Sequence, residues 1–127
     1  MKKSSKFVEQ ISSYIFVGIL AVLVDFLSYL FFSTQVGLSL SFSKRISYIL
    51  GAILSYTLNK KITFKSKKRS INEPILFLVI YLLSFVLNFT IHDFVNSYFG
   101  SMISFTIATT LTVIFNFMGQ KFIVFKK

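Results

Sequence analysis

Long apolar runs, interrupted by short charged clusters, form the dominant pattern along the chain. Residues 10–43 contain one charged side chain, Asp25, and residues 74–91 and 94–120 contain none. A hydrocarbon core of about 30 Å takes roughly 20 apolar residues per helix. The runs therefore predict an all-α membrane protein. Its four transmembrane helices are expected near residues 11–32, 41–60, 74–95 and 101–120.

The second span carries the most charge. Its uncharged stretch covers only residues 46–59, so Lys44 and Arg45 fall inside the helix or at its mouth. The first span follows three lysines, as the apolar segment of a signal peptide would. Its apolar run is too long for a signal segment, however, and it lacks a clear small-residue cleavage site. We therefore expect all four runs to cross the membrane.

The composition agrees with a membrane protein. Of 127 residues, 54% are hydrophobic and 14% are charged, and this length allows one domain over residues 1–127. The lack of cysteine excludes disulfides and thiolate metal sites. A net charge of +10 could indicate nucleic-acid binding, but these lysines flank the apolar runs, where they fix topology and attract anionic lipid. Membrane lipids are therefore expected partners and nucleic acid is not.

Lysine and arginine are unequally divided between the two sides of the predicted bundle. The N-terminus holds three, the loop after residue 59 holds six and the C-terminus holds three, against Lys44 and Arg45 on the opposite side. Basic residues accumulate on the cytoplasmic side of membrane proteins. Both termini and the central loop are therefore expected in the cytoplasm.

The two halves of the chain repeat each other. A shift of 61 residues aligns the second span with the fourth and continues into the similar segments NKKITFK (59–65) and QKFIVFK (120–126); a shift of 63 aligns the first span with the third. Spacings of three and four place the aligned small or polar side chains on one helix face. We call these faces the polar stripes. They consist of Gly18, Ala21, Asp25 and Tyr29; Tyr48, Gly51, Ser55 and Asn59; Tyr81, Ser84, Asn88 and His92; and Thr109, Thr112, Asn116 and Gln120.

Each half is thus predicted to be a helical hairpin. Because an even number of spans separates the copies, the two hairpins have the same orientation and form a parallel repeat. In lipid, small and polar residues mark where helices contact each other or a cavity. The polar stripes are therefore expected to face inward, and the phenylalanine-rich remainder to face lipid.

Two segments resemble the GtrA-like family of small four-span membrane proteins. In FVGILAVLVDFLSYLFF (16–32) a Val-Gly pair is followed seven residues later by Asp25. In GAILSYTLNKKITF (51–64) the span ends in an asparagine, two lysines and an aromatic residue. The resemblance covers roughly residues 12–126, and it departs from the family pattern at Lys44 and Arg45.

This resemblance implies a role in cell-surface polysaccharide biosynthesis or teichoic acid glycosylation. Such proteins are thought to move, as flippases, a polyprenyl-phosphate-linked sugar between the leaflets of the bacterial cytoplasmic membrane. A membrane glycosyltransferase and further copies of the chain are the expected protein partners. Two alternatives stay open: a scaffold that anchors the glycosyltransferase without transport, and a small cation or drug exporter that would use Asp25.

Asp25 is the strongest single candidate for function, because a charged side chain at the bilayer centre costs at least about 2.5 kcal/mol. One interpretation is an ion pair with Arg45 that fixes the first hairpin. In a second, Arg45 or Lys44 binds a phosphate and Asp25 holds the cation when no ligand is bound. In a third, a protonated Asp25 donates a hydrogen bond. Its counterpart Asn88 cannot ionise.

At the predicted cytoplasmic mouth, amide and lysine side chains either anchor the topology or bind the phosphate of a lipid-linked sugar. The duplicated amide favours phosphate binding, because topology requires charge alone whereas an amide directs hydrogen bonds. The complete set of predicted substrate-binding residues is Asp25, Lys44, Arg45, Ser55, Asn59, Lys60, Lys61, Asn88, Asn116, Gln120 and Lys121.

The sequence contains no recognisable catalytic constellation. Four acidic residues, one histidine and no cysteine supply no nucleophile with its base, no acidic pair suited to glycosyl transfer and no glycine-rich phosphate loop. We therefore expect a protein without enzymatic activity, cofactor or metal, which depends on a separate enzyme for sugar transfer.

Overall fold

The computed structural model describes residues 2–126, and within that range it is helical with no strand. This confirms the all-α prediction. Three of the four α-helices continue into a short π-helical turn. The elements are α1 (Lys2–Leu30) with the turn Phe31–Gln35, α2 (Leu40–Leu58) with the turn Asn59–Thr63, α3 (Asn72–Phe99), and α4 (Ser101–Gly119) with the turn Gln120–Val124.

The chain divides into two compact units, Met1–Lys67 and Lys68–Lys127. In unit 1, α1 packs against α2, and the π turn after α2 also contacts α1. In unit 2, α3 packs against α4, and the π turn after α4 also contacts α3. Each unit therefore consists of two packed helices joined by a short connection.

Glycine supplies the turn in both connections. Gly37 has a φ of +82°, and beside it the N–H of Leu38 donates to the carbonyl of Phe32 at 2.9 Å. This is the usual way in which a left-handed residue closes a helix C-terminus. In unit 2 a single residue, Gly100, with a φ of +88°, joins α3 to α4. Both positions favour glycine because other residues rarely adopt these backbone angles.

Within residues 2–126, three helical segments are long and apolar enough to cross a membrane. They are Ser4–Gln35, Asn72–Phe99 and Ser101–Val124. Helix α2 does not meet this measure, because basic pairs at 44–45 and 60–61 leave only residues 46–59 uncharged. The span predictions thus hold by length and composition for three helices. The membrane crossing of α2 stays a prediction.

The burial pattern follows the polar stripes. Every residue of the four stripes is buried or half-buried, whereas most of the phenylalanines are exposed. Gln120 and Asn59 are among the largest fully buried side chains. Such a distribution of polar and apolar residues suits a protein surrounded by lipid. It agrees with the prediction that the stripes lie inside and the phenylalanines outside.

The 61-residue offset of the sequence repeat also relates the local structure of α2 and α4. Both helices contain 19 residues. Their first residues, Leu40 and Ser101, are separated by this offset, and so are the first residues of the π turns that follow them. The backbone therefore follows the repeat in this part of each unit.

Candidate functional site

Asp25 on α1 is held by two side chains from the start of α2. Lys44 Nζ donates to Asp25 Oδ2 at 2.6 Å, and Ser47 Oγ donates to Asp25 Oδ1 at 2.6 Å. The Asp25 side chain is 20% exposed and that of Lys44 is 57% exposed. Both carboxylate oxygens are therefore engaged, and the charge is paired near the connection between the two helices.

The interpretation in which Asp25 pairs with Arg45 is wrong, because Lys44 occupies that position. Lys44 and Ser47 are three residues apart and share the face of α2 that meets α1. Arg45 is rotated by about 100° around the helix from Lys44. Its side chain is exposed and forms no ion pair within residues 2–126. Arg45 is therefore free to meet an anion.

Helices α1 and α2 approach each other closely beside this pair, at Gly51. A Cβ atom added to Gly51 would lie 3.0 Å from the carbonyl oxygen of Ala21 and 3.4 Å from Cβ of Asp25. Small residues at such contacts allow helix backbones to come together. Gly51 thus sets the separation at which the short Asp25 side chain reaches Ser47.

Asn88 on α3 makes the corresponding contact in unit 2. Its Nδ2 donates to Oγ1 of Thr112 on α4 at 3.2 Å, and that hydroxyl donates to the carbonyl of Ala108 at 2.9 Å. Thr112 follows Gly51 by the 61-residue offset. Equivalent stripe positions therefore meet in the two units, with a charged group in unit 1 and neutral groups in unit 2.

Asn59 opens the π turn after α2 and is 1% exposed. Its Nδ2 donates to Ser55 Oγ at 3.2 Å, and its Oδ1 accepts from Thr63 Oγ1 at 2.7 Å. The N–H of Phe64 donates to the Asn59 carbonyl at 2.8 Å, which closes the wide turn. The Asn59 side chain therefore links the last turn of α2 to the π turn.

Gln120 opens the π turn after α4 in the same way. It is fully buried, and its carbonyl accepts from the N–H of Phe125 at 2.8 Å. In this geometry Asn59 and Gln120 offer almost no accessible surface to a ligand. The Asn59 amide holds its turn, and direct contact between either amide and a phosphate stays a prediction.

The lysines of the π turns, in contrast, reach the surface. Lys61 is exposed, and Lys60 and Lys121 are half-buried. The ammonium of Lys121 lies 5.9 Å from the ring centroid of Phe117 and 5.8 Å from that of Phe122. Aromatic rings at these distances attract and orient a cation. The turns therefore present positive charge that an anion can approach.

Replacement of Asn59 by leucine is expected to destabilise the protein by about 1–3 kcal/mol, because Ser55 and Thr63 lose a buried hydrogen-bond partner. Leucine keeps the branching and the number of heavy atoms of the side chain but cannot form these hydrogen bonds. Thermal unfolding of purified protein in detergent measures the effect. Asn96→Leu, an exposed amide on α3, is the control. Equal unfolding midpoints for the two variants would contradict a structural role for the Asn59 amide.

Two buried side-chain oxygens have no hydrogen-bond partner within the described residues, Ser43 Oγ and Asn116 Oδ1. Asn116 belongs to the polar stripe of α4 and lies one turn before Gln120. An unpaired buried acceptor costs about 1–3 kcal/mol. A hydroxyl group of a bound substrate would satisfy it.

Glu73 is a candidate site residue that was not among the residues predicted from the sequence. It lies in the first turn of α3, and it is 3% exposed. It lines a cavity of about 370 Å³ whose other polar walls are Lys68, Ser70, Asn72 and Lys126. Acidic residues are common in first helical turns. The residue type and the helix position of Glu73 therefore did not indicate that it is buried.

The helices, the polar interior and the cationic ends define a multi-pass helical membrane protein. The family model of the GtrA/DPMS transmembrane domain matches residues 13–125, and the chain belongs to this family. The match confirms the resemblance drawn from the first and second spans. Comparison with curated proteins and with solved structures gives no significant match.

Proposed function

We propose that the protein moves, or helps to move, a polyprenyl-phosphate-linked sugar across the bacterial cytoplasmic membrane for envelope polysaccharide or teichoic acid glycosylation. Membership of the GtrA/DPMS family indicates involvement in lipid-linked sugar translocation or glycosylation. The observation that carries the proposal is the arrangement of α2. Its buried polar stripe runs between the Lys44–Asp25 pair at one end and Lys60 and Lys61 at the other.

All four helices cross the membrane in this proposal, with both termini in the cytoplasm. Helix α2 has 19 residues and its π turn five, and together they extend about 36 Å at 1.5 Å per residue. The hydrocarbon core is about 30 Å thick. Asp25 pairs with Lys44 and thereby lowers the cost of a cation near the membrane. The two units then form a parallel repeat within one domain.

Binding begins at the cytoplasmic surface, where the lysines of the π turns attract the phosphate. Ammonium groups form charge-assisted hydrogen bonds with phosphate oxygens. The sugar hydroxyls next bond to polar side chains of the α2 stripe. The isoprenoid tail stays in lipid beside the exposed apolar faces. The headgroup thus exchanges hydrogen bonds with water for hydrogen bonds with the protein.

At the other end of α2, the phosphate competes with Asp25 for Lys44. Without a ligand, Asp25 holds the Lys44 ammonium at 2.6 Å. A phosphate that reaches this level binds Lys44 and the exposed guanidinium of Arg45, which suits phosphate oxygens. When the ligand leaves, Asp25 recaptures the cation. Lys44 is therefore bound by the phosphate while the ligand is present, and the Lys44–Asp25 ion pair forms again after the ligand is released.

Sugar-transfer chemistry belongs to a separate membrane glycosyltransferase in this proposal, and the protein acts without a cofactor. The sequence supplies no nucleophile with a base and no acidic pair suited to glycosyl transfer. Exposed apolar faces of the helices are available for contact with that enzyme or with further copies of the chain.

Transbilayer movement of a fluorescent polyprenyl-phosphate sugar in liposomes tests the proposal. We expect purified protein to accelerate this movement over that in protein-free vesicles. Combined replacement of Lys60, Lys61 and Lys121 by glutamine should slow it by at least about tenfold, because loss of one charge-assisted hydrogen bond of about 1.5 kcal/mol already gives that factor.

Lys67→Gln is the matched control, since Lys67 is an exposed lysine close to the π turn of α2 and outside the proposed binding set. Movement no faster than in empty vesicles, with protein verified as folded, would overturn the transport proposal. Co-purification of a glycosyltransferase with such an inactive protein would favour the scaffold instead.

A further inference from the structure

The cavity beside Glu73 is formed entirely within unit 2. Its volume of about 370 Å³ lies within the range of small-molecule sites. Its polar walls come from the segment before α3, from the first turn of α3 and from the segment after the last π turn. Leu76, Ile123 and Val124 supply an apolar side. The cavity thus offers both polar and apolar contacts.

Hydrogen bonds hold the rim of this cavity together. Lys68 Nζ donates to the backbone carbonyl of Lys126 at 2.7 Å, which ties the segment before α3 to the C-terminal segment. The N–H of Asn72 donates to Ser70 Oγ at 3.2 Å, which fixes the entry into α3. The cavity is therefore bounded by segments that contact each other.

The charges in the wall restrict the ligand. Lys68 and Lys126, which line the cavity, each carry an ammonium group, and Glu73, a residue that is 3% exposed, carries a carboxylate. A site for phosphate alone would not place a carboxylate in its wall, since like charges repel. A carboxylate instead accepts hydrogen bonds from hydroxyl groups. The combination fits a ligand that carries an anionic group and hydroxyl donors together.

Unit 1 uses the corresponding lysine differently. Lys65 precedes Lys126 by the 61-residue offset, and its Nζ lies 2.7 Å from Oε1 of Glu9 on α1. In unit 1 this cation is therefore already paired within the protein. The Lys126 ammonium has no ion-pair partner within residues 2–126. The lysine of unit 2 is thus available to a ligand.

We infer that this cavity binds the sugar-phosphate end of the lipid-linked sugar, with the phosphate on Lys68 and Lys126 and the sugar hydroxyls on Glu73 and Asn72. The inference rests on the proposed function and gives it a loading site. The aliphatic side of the cavity, which includes Leu76, receives the first isoprene unit. A free sugar phosphate has the same polar chemistry without that apolar contact.

Binding to the full-length protein in nanodiscs tests the inference with three probes: glucose 1-phosphate, its citronellyl phosphodiester and inorganic phosphate. Glu73→Gln should weaken glucose 1-phosphate binding by about tenfold, through loss of one charge-assisted hydrogen bond. The same variant should bind inorganic phosphate as well as or better than the wild type, because a repelling charge is removed. Lys126→Gln should weaken all three probes.

Lys67→Gln and Glu9→Gln are the matched controls, since neither residue lines the cavity. Tighter binding of the citronellyl compound than of glucose 1-phosphate would identify the lipid-linked form as the ligand. Equal binding of the two compounds would identify the free sugar phosphate as the ligand and would overturn the loading site. Unchanged binding of glucose 1-phosphate to Lys126→Gln would overturn the inference, and this exposed variant decides the matter if Glu73→Gln does not fold.

The binding assay and the liposome assay test the loading site and the proposed function separately. If wild-type protein moves the lipid-linked sugar but the cavity variants bind glucose 1-phosphate normally, the loading site is wrong and the proposed function stands. If the cavity variants lose binding while wild-type protein moves no lipid, the cavity is a sugar-phosphate site and the transport proposal is wrong.

Discussion

Asp25→Asn and Lys44→Gln are each expected to destabilise the protein and to stop lipid-sugar movement, whereas the double variant regains stability without regaining activity. Each single change leaves one member of the pair without its partner, at a cost of about 1–2 kcal/mol for a pair whose lysine is largely exposed. The double variant removes both charges. Because neither side chain is then left without a charged partner, most of the lost stability is regained. Movement should stay at least about tenfold below wild type, because the phosphate loses its charge-assisted hydrogen bond with Lys44 and keeps only Arg45 at this level.

Thermal unfolding in detergent and the liposome assay, applied to the same four proteins, separate structure from function. Asp93→Asn is the control, since Asp93 is an exposed carboxylate that contacts the neighbouring His92. Full activity in the stable double variant would show that the pair only fixes α1 against α2. Loss of activity in the Asp25 variant alone, combined with binding of an organic cation by the wild type, would favour an exporter.

Gly51→Leu should prevent α1 and α2 from packing, with a loss of stability of about 1–3 kcal/mol or more. Even the first added carbon would lie 3.0 Å from the Ala21 carbonyl, a backbone atom that cannot rotate away. The helices must therefore separate, and Asp25 then loses its contact with Ser47. Lipid-sugar movement should fall together with stability, in contrast to the behaviour of the Asp25 and Lys44 double variant.

Gly18→Leu is the matched control for this prediction. Gly18 lies in the interior of α1 and a Cβ there would have no atom within 4 Å, so leucine should be tolerated and should favour the helix. The unfolding midpoint and the fraction of monodisperse protein in size-exclusion chromatography measure both variants. Equal behaviour of Gly18→Leu and Gly51→Leu would show that the close approach at Gly51 is not needed for the fold.

The positions of the helices were predictable, because charged residues rarely lie inside apolar spans and the apolar runs are bounded by them. The stripes were predictable for a similar reason, since helical spacing places small and polar residues on one face. Asp25 could be identified because it is the one charged residue in residues 10–43. These properties depend on residue type and spacing alone.

The partner of Asp25 was not predictable in the same way. Lys44 and Arg45 are adjacent, so the choice between them depends on the rotation of α2 around its axis. That rotation is set by the contact between Gly51 and the backbone of α1, which a single sequence does not reveal. The burial of Glu73 likewise depends on the C-terminal segment, which closes the cavity from the far end of the chain.

The neutrality of the Lys44–Asp25 pair has an electrical consequence under the proposed orientation. Moving Asp25 and Lys44 together through the membrane field would transfer no net charge. Without a ligand, the position of this pair is therefore insensitive to the membrane voltage. A phosphate that replaces Asp25 as the partner of Lys44 brings a negative charge across the field. An inside-negative potential drives anions outward by about 2.3 kcal/mol per charge per 100 mV. If the protein transports the lipid-linked sugar as proposed, the resting voltage of the cell would favour export without nucleotide hydrolysis.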